Sequence, residues 1–416
     1  MENAAFASGR ALIERVQALA RHSDSQNHYT RTYLTPAHRA AARQIAQWMG
    51  EAGMNVRVDA LGSVIGRYDA SVTGAKTLLM GSHYDSVRNG GKFDGVLGIL
   101  APIASVAELH RRGERLGHAI EIAAFSDEEG ARFQTSFLAS RALVDGAASL
   151  AGILDRRDAD GVSLGEAMRA AGLDPAVADA ARIDPASLAA YVEVHIEQGP
   201  VLLNEGRALG VVTSIAAGVR YLLRVKGEAG HAGTVPMPMR RDALAAAAEM
   251  VLAIEKRCKA GGSLVGTVGV MRVKDGTANV IPGEVEFTAD IRAADGAAHL
   301  EAARGALGEC EAIAKRRGVL LEAAKTHEVK AAPCAAWLQE LIAASIERIV
   351  PGERARRLPS GAGHDAMILA GVTDVGMMFV RCGAGGVSHN PAETVSDEDA
   401  DLAVRAILDF LRHFRP

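Results

Sequence analysis

Four short apolar runs, each closing on a polar cluster, limit what this chain can fold into. They are "TLLMGSH" at 77–83, "IEIAAFSDEEG" at 120–130, "YVEVHIEQG" at 191–199 and "VGMMFVRCG" at 375–383. Between them lie Ala- and Leu-rich stretches with helical spacing, such as "GVLGILAPIASVAELHRRG" at 95–113. Strand, helix and strand in alternation predict an α/β fold: a mixed, mostly parallel sheet with helices on both faces. In such sheets ligands gather beyond the carboxyl ends of the strands, where these polar clusters fall.

A different texture begins near residue 214. "GVRYLLRVKGEAGHAG" reads as a strand with alternating faces, "RRDALAAAAEMVLAIEKRC" as a helix, and "LVGTVGVMRV" and "VEFTADIRA" as two further strands. A second helix covers roughly 297–317. These elements predict an inserted α+β lid at 214–328, built from a four-stranded antiparallel sheet and two helices. The lid interrupts one catalytic domain made of 1–213 and 329–416. A chain of 416 residues has ample material for both cores. The last helix is expected to open at Ser396, with Asp399 as its capping-box acid.

Charge narrows the partners. The 46 basic and 50 acidic residues are intermixed, giving a net charge of −4, so no electrostatic footprint for nucleic acid or an anionic membrane is present. No run approaches the roughly 18 apolar residues of a membrane span. Cys258, Cys310, Cys334 and Cys382 lack a paired C-x-x-C spacing, which reads as reduced thiols in a cytoplasmic protein. The N-terminus has a helical rather than a secretory pattern, because acids and arginines interrupt its apolar runs.

The polar clusters carry residue types that bind divalent metals. In "GSHYDSVRNGGKFDG", His83 and Asp94 are an imidazole and a carboxylate suited to a borderline ion such as zinc. Asp85, two residues after His83, can accept the second ring N–H and fix the tautomer. "FSDEEG" adds Asp127, Glu128 and Glu129; neighbouring acids on an extended segment face opposite ways, so one can bind metal while the next reaches its water. "EVHIEQGP" sets His195 in an apolar strand between Glu193 and Glu197, and "GGVSHNPAE" sets His389 in a loop. Singly, these read as a capping pair, a solvated acidic turn, a core histidine and a loop histidine. Jointly, four strand ends bring three histidines and two acids to one sheet edge. Such a set holds two metals if one carboxylate bridges, and Asp94, a short acid in a tight loop, is the best bridge.

The motifs "SHYDS", "GGKFDG", "SDEEGARF", "HIEQGP", "HAGTVPM", "TANVIPG" and "SHNPAE", in this order from about 60 to 395, resemble the hydantoinase/carbamoylase amidases. That family lies within the dinuclear zinc aminoacylases and carboxypeptidases. The resemblance implies a zinc-exopeptidase-like catalytic domain, two divalent ions per subunit (zinc, or manganese, cobalt or nickel), and a homodimer built through the lid. It implies His83, Asp94, Glu129, His195 and His389 as ligands, with Asp94 bridging and Glu128 as general base. The expected reaction is hydrolysis of the ureido group of an N-carbamoyl-L-amino acid to the amino acid, ammonia and carbon dioxide.

By the same resemblance Gln198, His231, Asn279, Arg292 and His364 contact the substrate. Arg292 can clamp a carboxylate bidentately, Asn279 can donate to the same group, and His231, from its own or the neighbouring subunit, can stabilise an oxyanion. On the residues alone, Arg292 also reads as a surface charge, His231 as a turn residue and His364 as a neighbour of a helix cap. Rival activities are allantoate amidohydrolase, β-ureidopropionase and dipeptidase or aminoacylase. A catalytically inactive binding protein is the alternative outside enzymes, yet no ligand position is lost.

Overall fold

The computed structural model describes residues 8–261, 264–352 and 354–415. Two compact units are present. The first takes the chain up to Thr213, then Pro333–Leu358 and the stretch from His364 onward; the second takes Ser214–Ala332 and Pro359–Gly363.

The N-terminal stretch supplies strands β1 (Asn55–Val58), β2 (Val64–Tyr68), β3 (Thr77–His83), β4 (Ala119–Phe125), β5 (Leu188–Ile196) and β6 (Leu209–Ile215). The inserted segment then gives β7 (Ala217–Lys226), β8 (Gly230–His231), β9 (Leu264–Thr267), β10 (Met271–Val273), β11 (Val280–Ile281), β12 (Glu284–Ala293) and β13 (Leu320–Val329). The chain returns with β14 (Ala332–Pro333), β15 (Arg356–Ser360) and β16 (Val375–Val380).

The first sheet has the order β1-β2-β4-β3-β5-β16-β6-β14, with β15 on β6. β3 runs parallel to β4 and β5, and β16 runs parallel to β5, while β2 and β6 pair antiparallel on the flanks. Every residue of β3, β4 and β16 is buried, odd and even positions alike. Both faces of the sheet centre are therefore covered, which is why these strands read as unbroken apolar runs. The helix Val96–Arg111 is apolar on all sides and buried continuously from Val96 to Val106. It packs on β3 and β5 and against the helices Gly9–Ala20 and Asp397–His413. Each fully buried Leu or Ile in this core contributes about 1.5–3 kcal/mol relative to exposure.

The final helix departs from its predicted cap. Ser396 Oγ accepts the Asp399 N–H at 3.0 Å, but the Asp399 carboxylate takes the Arg381 guanidinium bidentately at 2.7 and 2.9 Å instead of returning to the cap. The charged, two-point partner outcompetes a single backbone N–H.

In the second unit the sheet runs β10-β12-β7-β13 with β9 also on β12, all antiparallel, and β8 pairs with β11 separately. The predicted four-stranded sheet thus has five strands. "LVGTVGVMRV" does not form one strand: it breaks after Thr267 and resumes at Met271, both pieces lying along β12. The unit also runs past the expected boundary at 328, because β13 pairs with β7 as far as Val329. β12 buries every second residue, and Phe287 and Ile291 on that face join Met250 and Ile254 of the helix Ala243–Ala260 and Cys310 of the helix Gly296–Arg317. The opposite face is charged, with the directly opposed pairs Arg220–Asp290 at 2.7 Å and Arg224–Glu286 at 3.0 Å. All four cysteines are free and buried. Among the described residues no helix is long and apolar enough to cross a membrane.

Candidate metal centre

Parallel pairing decides where the polar clusters go. In the register of β3 and β4, His83 stands opposite Phe125, the last residue before "SDEEG". In that of β16 and β5, Phe379 stands opposite His195, and the loop carrying His389 leaves one residue later. All four clusters therefore emerge at one edge of the first unit's sheet.

Two glycines let Asp94 fold back over that edge. Gly95 has φ +66°, and a Cβ there would lie 2.4 Å from the His83 carbonyl oxygen. At Gly91 a Cβ would lie 2.1 Å from the carboxylate of Glu393. Only glycine permits both approaches.

Asp94 is the hub. Its Oδ1 lies 3.3 Å from His195 Nε2 and 3.7 Å from His83 Nε2, while its Oδ2 lies 3.1 Å from His389 Nε2. His389 Nε2 is also 3.4 Å from Glu129 Oε1. Two ligand sets share one carboxylate: His83, Asp94 and His195 on one side, Asp94, Glu129 and His389 on the other, the ligand atoms of each set within 4.8 Å of one another. Glu128, with His83 and Glu129, forms a third such group, and Glu193, His195 and His364 a fourth.

The ring orientations suit metal binding. His83 Nδ1 faces the Asp85 carbonyl at 3.2 Å, and His195 Nδ1 faces the Ile196 carbonyl at 2.9 Å, so each Nδ1 carries the proton. The Gly95 N–H donates to His195 Nε2 at 3.3 Å, which marks that nitrogen as a lone-pair site. Asp85 also does what the sequence did not announce: its carboxylate accepts the N–H groups of Glu128 at 3.0 Å and Glu129 at 3.2 Å. One acid thereby fixes both the first histidine and the acidic loop.

The two glutamates are not placed by strand alternation as expected. β4 ends at Phe125, before the acids, and Glu128 and Glu129 present oxygens to the same histidine, His83. Asp127 turns away to accept the Gly130 N–H at 3.3 Å.

Charge inside the cluster is strained. Burial raises Glu128 well above the usual carboxylate range, and burial followed by Asp94 raises Glu129 to about 7. Burial also lowers His195 to about 4. Asp94 resists its own burial because His389 and His83 hold it well below normal, and His389 is raised to about 9, chiefly by its hydrogen bond to Asp94. Glu129 Oε1 is buried without a hydrogen bond. Imidazoles, crowded carboxylates and an orphaned oxygen form a donor set that divalent cations fit. Because ligands must shed protons to bind, zinc uptake by the metal-free protein is expected to release protons at about pH 7.5, with affinity rising towards about pH 9. Calorimetry in buffers of different ionisation enthalpy measures this; a flat profile across that range would reject the assignment of His389.

Gln198 and His364 also lie in the first unit. Gln198 Nε2 donates to both Asp94 oxygens, at 3.1 and 3.2 Å, and lies 3.2 Å from Ser388 Oγ. Gln198 and His389 hold left-handed backbone, with φ of 55° and 53°, a strain that clusters at functional sites. The buried ring of His364 is 4.5 Å from that of His195. The other three predicted substrate residues belong to the second unit. His231 and Asn279 are exposed, His231 Nδ1 accepting the Gly233 N–H at 3.1 Å. Arg292 lines a cavity of about 520 Å³ together with Arg220, Tyr221, Thr267, Thr288 and Asp290. Its fork is engaged by Asp290 at 2.9 and 3.0 Å, and its remaining arm donates to the Gly361 carbonyl at 2.9 Å.

Sequence reasoning gave no role to Glu393, Ser388 or Glu193. Glu193 is fully buried and accepts Ser82 Oγ–H and the Ala366 N–H, both at 2.9 Å. Glu197, its neighbour in the motif, caps a short helix through the Val201 and Leu202 N–H groups. Position within quoted motifs was the available signal for Glu393 and Glu193; hydrogen-bond partners distant in sequence were not.

Comparison with known proteins agrees with this geometry. The model of peptidase family M20/M25/M40 matches residues 79–413. The chain is 40% identical to an N-carbamoyl-L-amino acid amidohydrolase of Geobacillus stearothermophilus, over 91% of each chain. It is 39% identical to an allantoate deiminase of Arabidopsis thaliana, over 96% of this chain and 81% of that protein. Among solved structures, a hydantoinase/carbamoylase family amidase from Burkholderia multivorans superposes with a TM-score of 0.90 at 32% identity, covering 98% of both chains.

Proposed function

Because the chain belongs to peptidase family M20/M25/M40, we propose that it is a metal-dependent amidohydrolase that cleaves the ureido group of an N-carbamoyl-L-amino acid. Water and the carbamoyl compound give the free amino acid, ammonia and carbon dioxide. The observation that carries this reading is the single Asp94 carboxylate facing His83 and His195 with one oxygen and His389 with the other. Two divalent ions, for which zinc suits the mixed imidazole and carboxylate donors, would supply Lewis-acid polarisation of a carbonyl made unreactive by two donating nitrogens.

The chain's own residues do the rest. His83, Asp94, His195, Glu129 and His389 hold the ions. Glu128, buried and raised in proton affinity, takes a proton from the attacking water on a carboxylate oxygen and returns it to the departing nitrogen. His364 stands beside His195 as a buried donor to the developing oxyanion. Arg292 supplies guanidinium donors for the substrate carboxylate, for which it exchanges its hold on Asp290.

The direct test is ammonia release by the zinc-loaded protein from N-carbamoyl-L-methionine, N-carbamoyl-β-alanine and allantoate. Preference for the first is expected; turnover of allantoate alone would overturn the substrate assignment. Arg292→Ala is expected to raise KM and lower kcat/KM by about 10–100-fold, the worth of 1.5–3 kcal/mol for a charged hydrogen bond, for carboxylated substrates only. Equal loss on an uncharged ureide rejects the clamp.

A homodimer through the second unit completes the proposal. Supporting it, β13 pairs on one side only among the described residues and is exposed along nearly its whole length, an edge that invites a partner. The buried free thiols agree with a reducing, cytoplasmic setting.

A further inference from the structure

Glu393 ties together two loops that the metal centre needs. It lies four residues after His389 and is 97% buried, with a relative exposure of 3%. Its Oε1 accepts the N–H groups of Phe93 at 2.8 Å and Asp94 at 3.1 Å, so it grips the backbone of the bridging acid itself. Its Oε2 accepts the hydroxyl of Ser388, the residue before His389, at 2.6 Å. Ser388 Oγ in turn stands 3.4 Å from Asp94 Oδ2. The chain goes to some length to admit this carboxylate: the Cβ that Gly91 lacks would occupy its place.

We propose that Glu393 is a positioning residue that locks the loop of Asp94 to the loop of His389 and so sets the spacing of the ligand pair Asp94 and His389. This rests on the dinuclear reading given above. The role is geometric. Glu393 supplies acceptors at a fixed depth between two loops that are 294 residues apart at Asp94 and Ser388, and among the described residues no other side chain is shown accepting both from the backbone of the Asp94 loop and from the Ser388 hydroxyl. Loss of such an outer support typically weakens metal binding by about 10–100-fold.

The test is zinc titration of chelator-stripped protein against a chromophoric competitor, below the melting transition of every variant. Wild type is expected to bind two ions per chain, and E393A to hold one of them about 10–100-fold more weakly. E393Q, whose amide oxygen still accepts both N–H groups, stays within about tenfold of wild type. E393D keeps the charge but draws the oxygens back by one methylene, and behaves like E393A; it carries the test if E393A does not fold. Two ions held with wild-type affinity in E393A or E393D overturn the proposal. E393Q falling as far as E393A also overturns it, since charge rather than placement would then be at work. A wild type that binds fewer than two ions overturns the dinuclear reading and this proposal with it, whereas two ions in wild type leave that reading standing whatever the variants do.

Discussion

Glu128→Gln is expected to lower kcat by about 10²–10⁴-fold while leaving two zinc ions bound per chain. The substitution keeps the side chain's size, and the loop that carries it is held by Asp85 through backbone N–H groups that do not depend on the Glu128 side chain. What disappears is a group able to take and return a proton. Stability supplies a second signature. Burial raises the folded Glu128 well above its unfolded value, so in the metal-free protein its ionisation opposes folding once the pH exceeds the ordinary carboxylate value of about 4.3. Metal-free Glu128→Gln is therefore expected to melt higher than metal-free wild type at neutral pH, the gain vanishing in acid. Turnover within threefold of wild type, measured as ammonia release on the fully loaded variant, would show that another group is the base.

Strand direction was legible in the sequence because both faces of the central sheet are buried: apolar runs such as "TLLMGSH" and "VGMMFV" have no other stable home. The convergence of His83, Glu129, His195 and His389 followed from that, since parallel strands deliver their carboxyl ends to one edge. Finer placement was not legible. Whether Glu128 and Glu129 diverge depends on where β4 stops, and it stops at Phe125, leaving the acids to a loop shaped by Asp85. Gln198 and Glu393 act through partners about a hundred and three hundred residues away, Asp94 for the first and Phe93 and Asp94 for the second. Such contacts leave no local pattern of period or propensity.

The second unit shows the same division. Alternation along "VEFTADIRA" announced β12, because one face packs on two helices and the other carries charge. The break between Thr267 and Met271 was hidden, as both halves keep strand-like composition and pair with the same neighbour. Arg292 read as a free clamp, yet Asp290 stands two residues earlier on the same face of the strand and holds it. In the proposed clamp, binding a carboxylate then depends on exchange of one anion for another, not on filling an empty fork.

Asp94→Asn should act in the opposite sense to Glu128→Gln on every readout but activity. Among the described residues Asp94 faces His83, His195 and His389 together, and its two oxygens face different candidate ligand sets. An amide offers one oxygen and no charge, so both ions should be lost or weakened beyond the roughly 10–100-fold typical of outer supports. Loss of Lewis-acid assistance worth several kcal/mol removes about 10³-fold or more from kcat/KM, at 1.36 kcal/mol per decade. His389→Ala, which strips one set alone, should still bind one ion. Stability again gives the sign. Although burial opposes it, His389 and His83 depress folded Asp94 below its unfolded value, so its contribution is present above the ordinary carboxylate range and is lost as pH falls through the folded value. Metal-free Asp94→Asn should therefore melt lower than metal-free wild type at neutral pH, where metal-free Glu128→Gln melts higher. Zinc should raise the melting temperature of Glu128→Gln and leave that of Asp94→Asn nearly unchanged. If Asp94→Asn keeps two tightly bound ions, the carboxylate is no bridge, and the two ligand sets must be reassigned around Glu128 and Glu129.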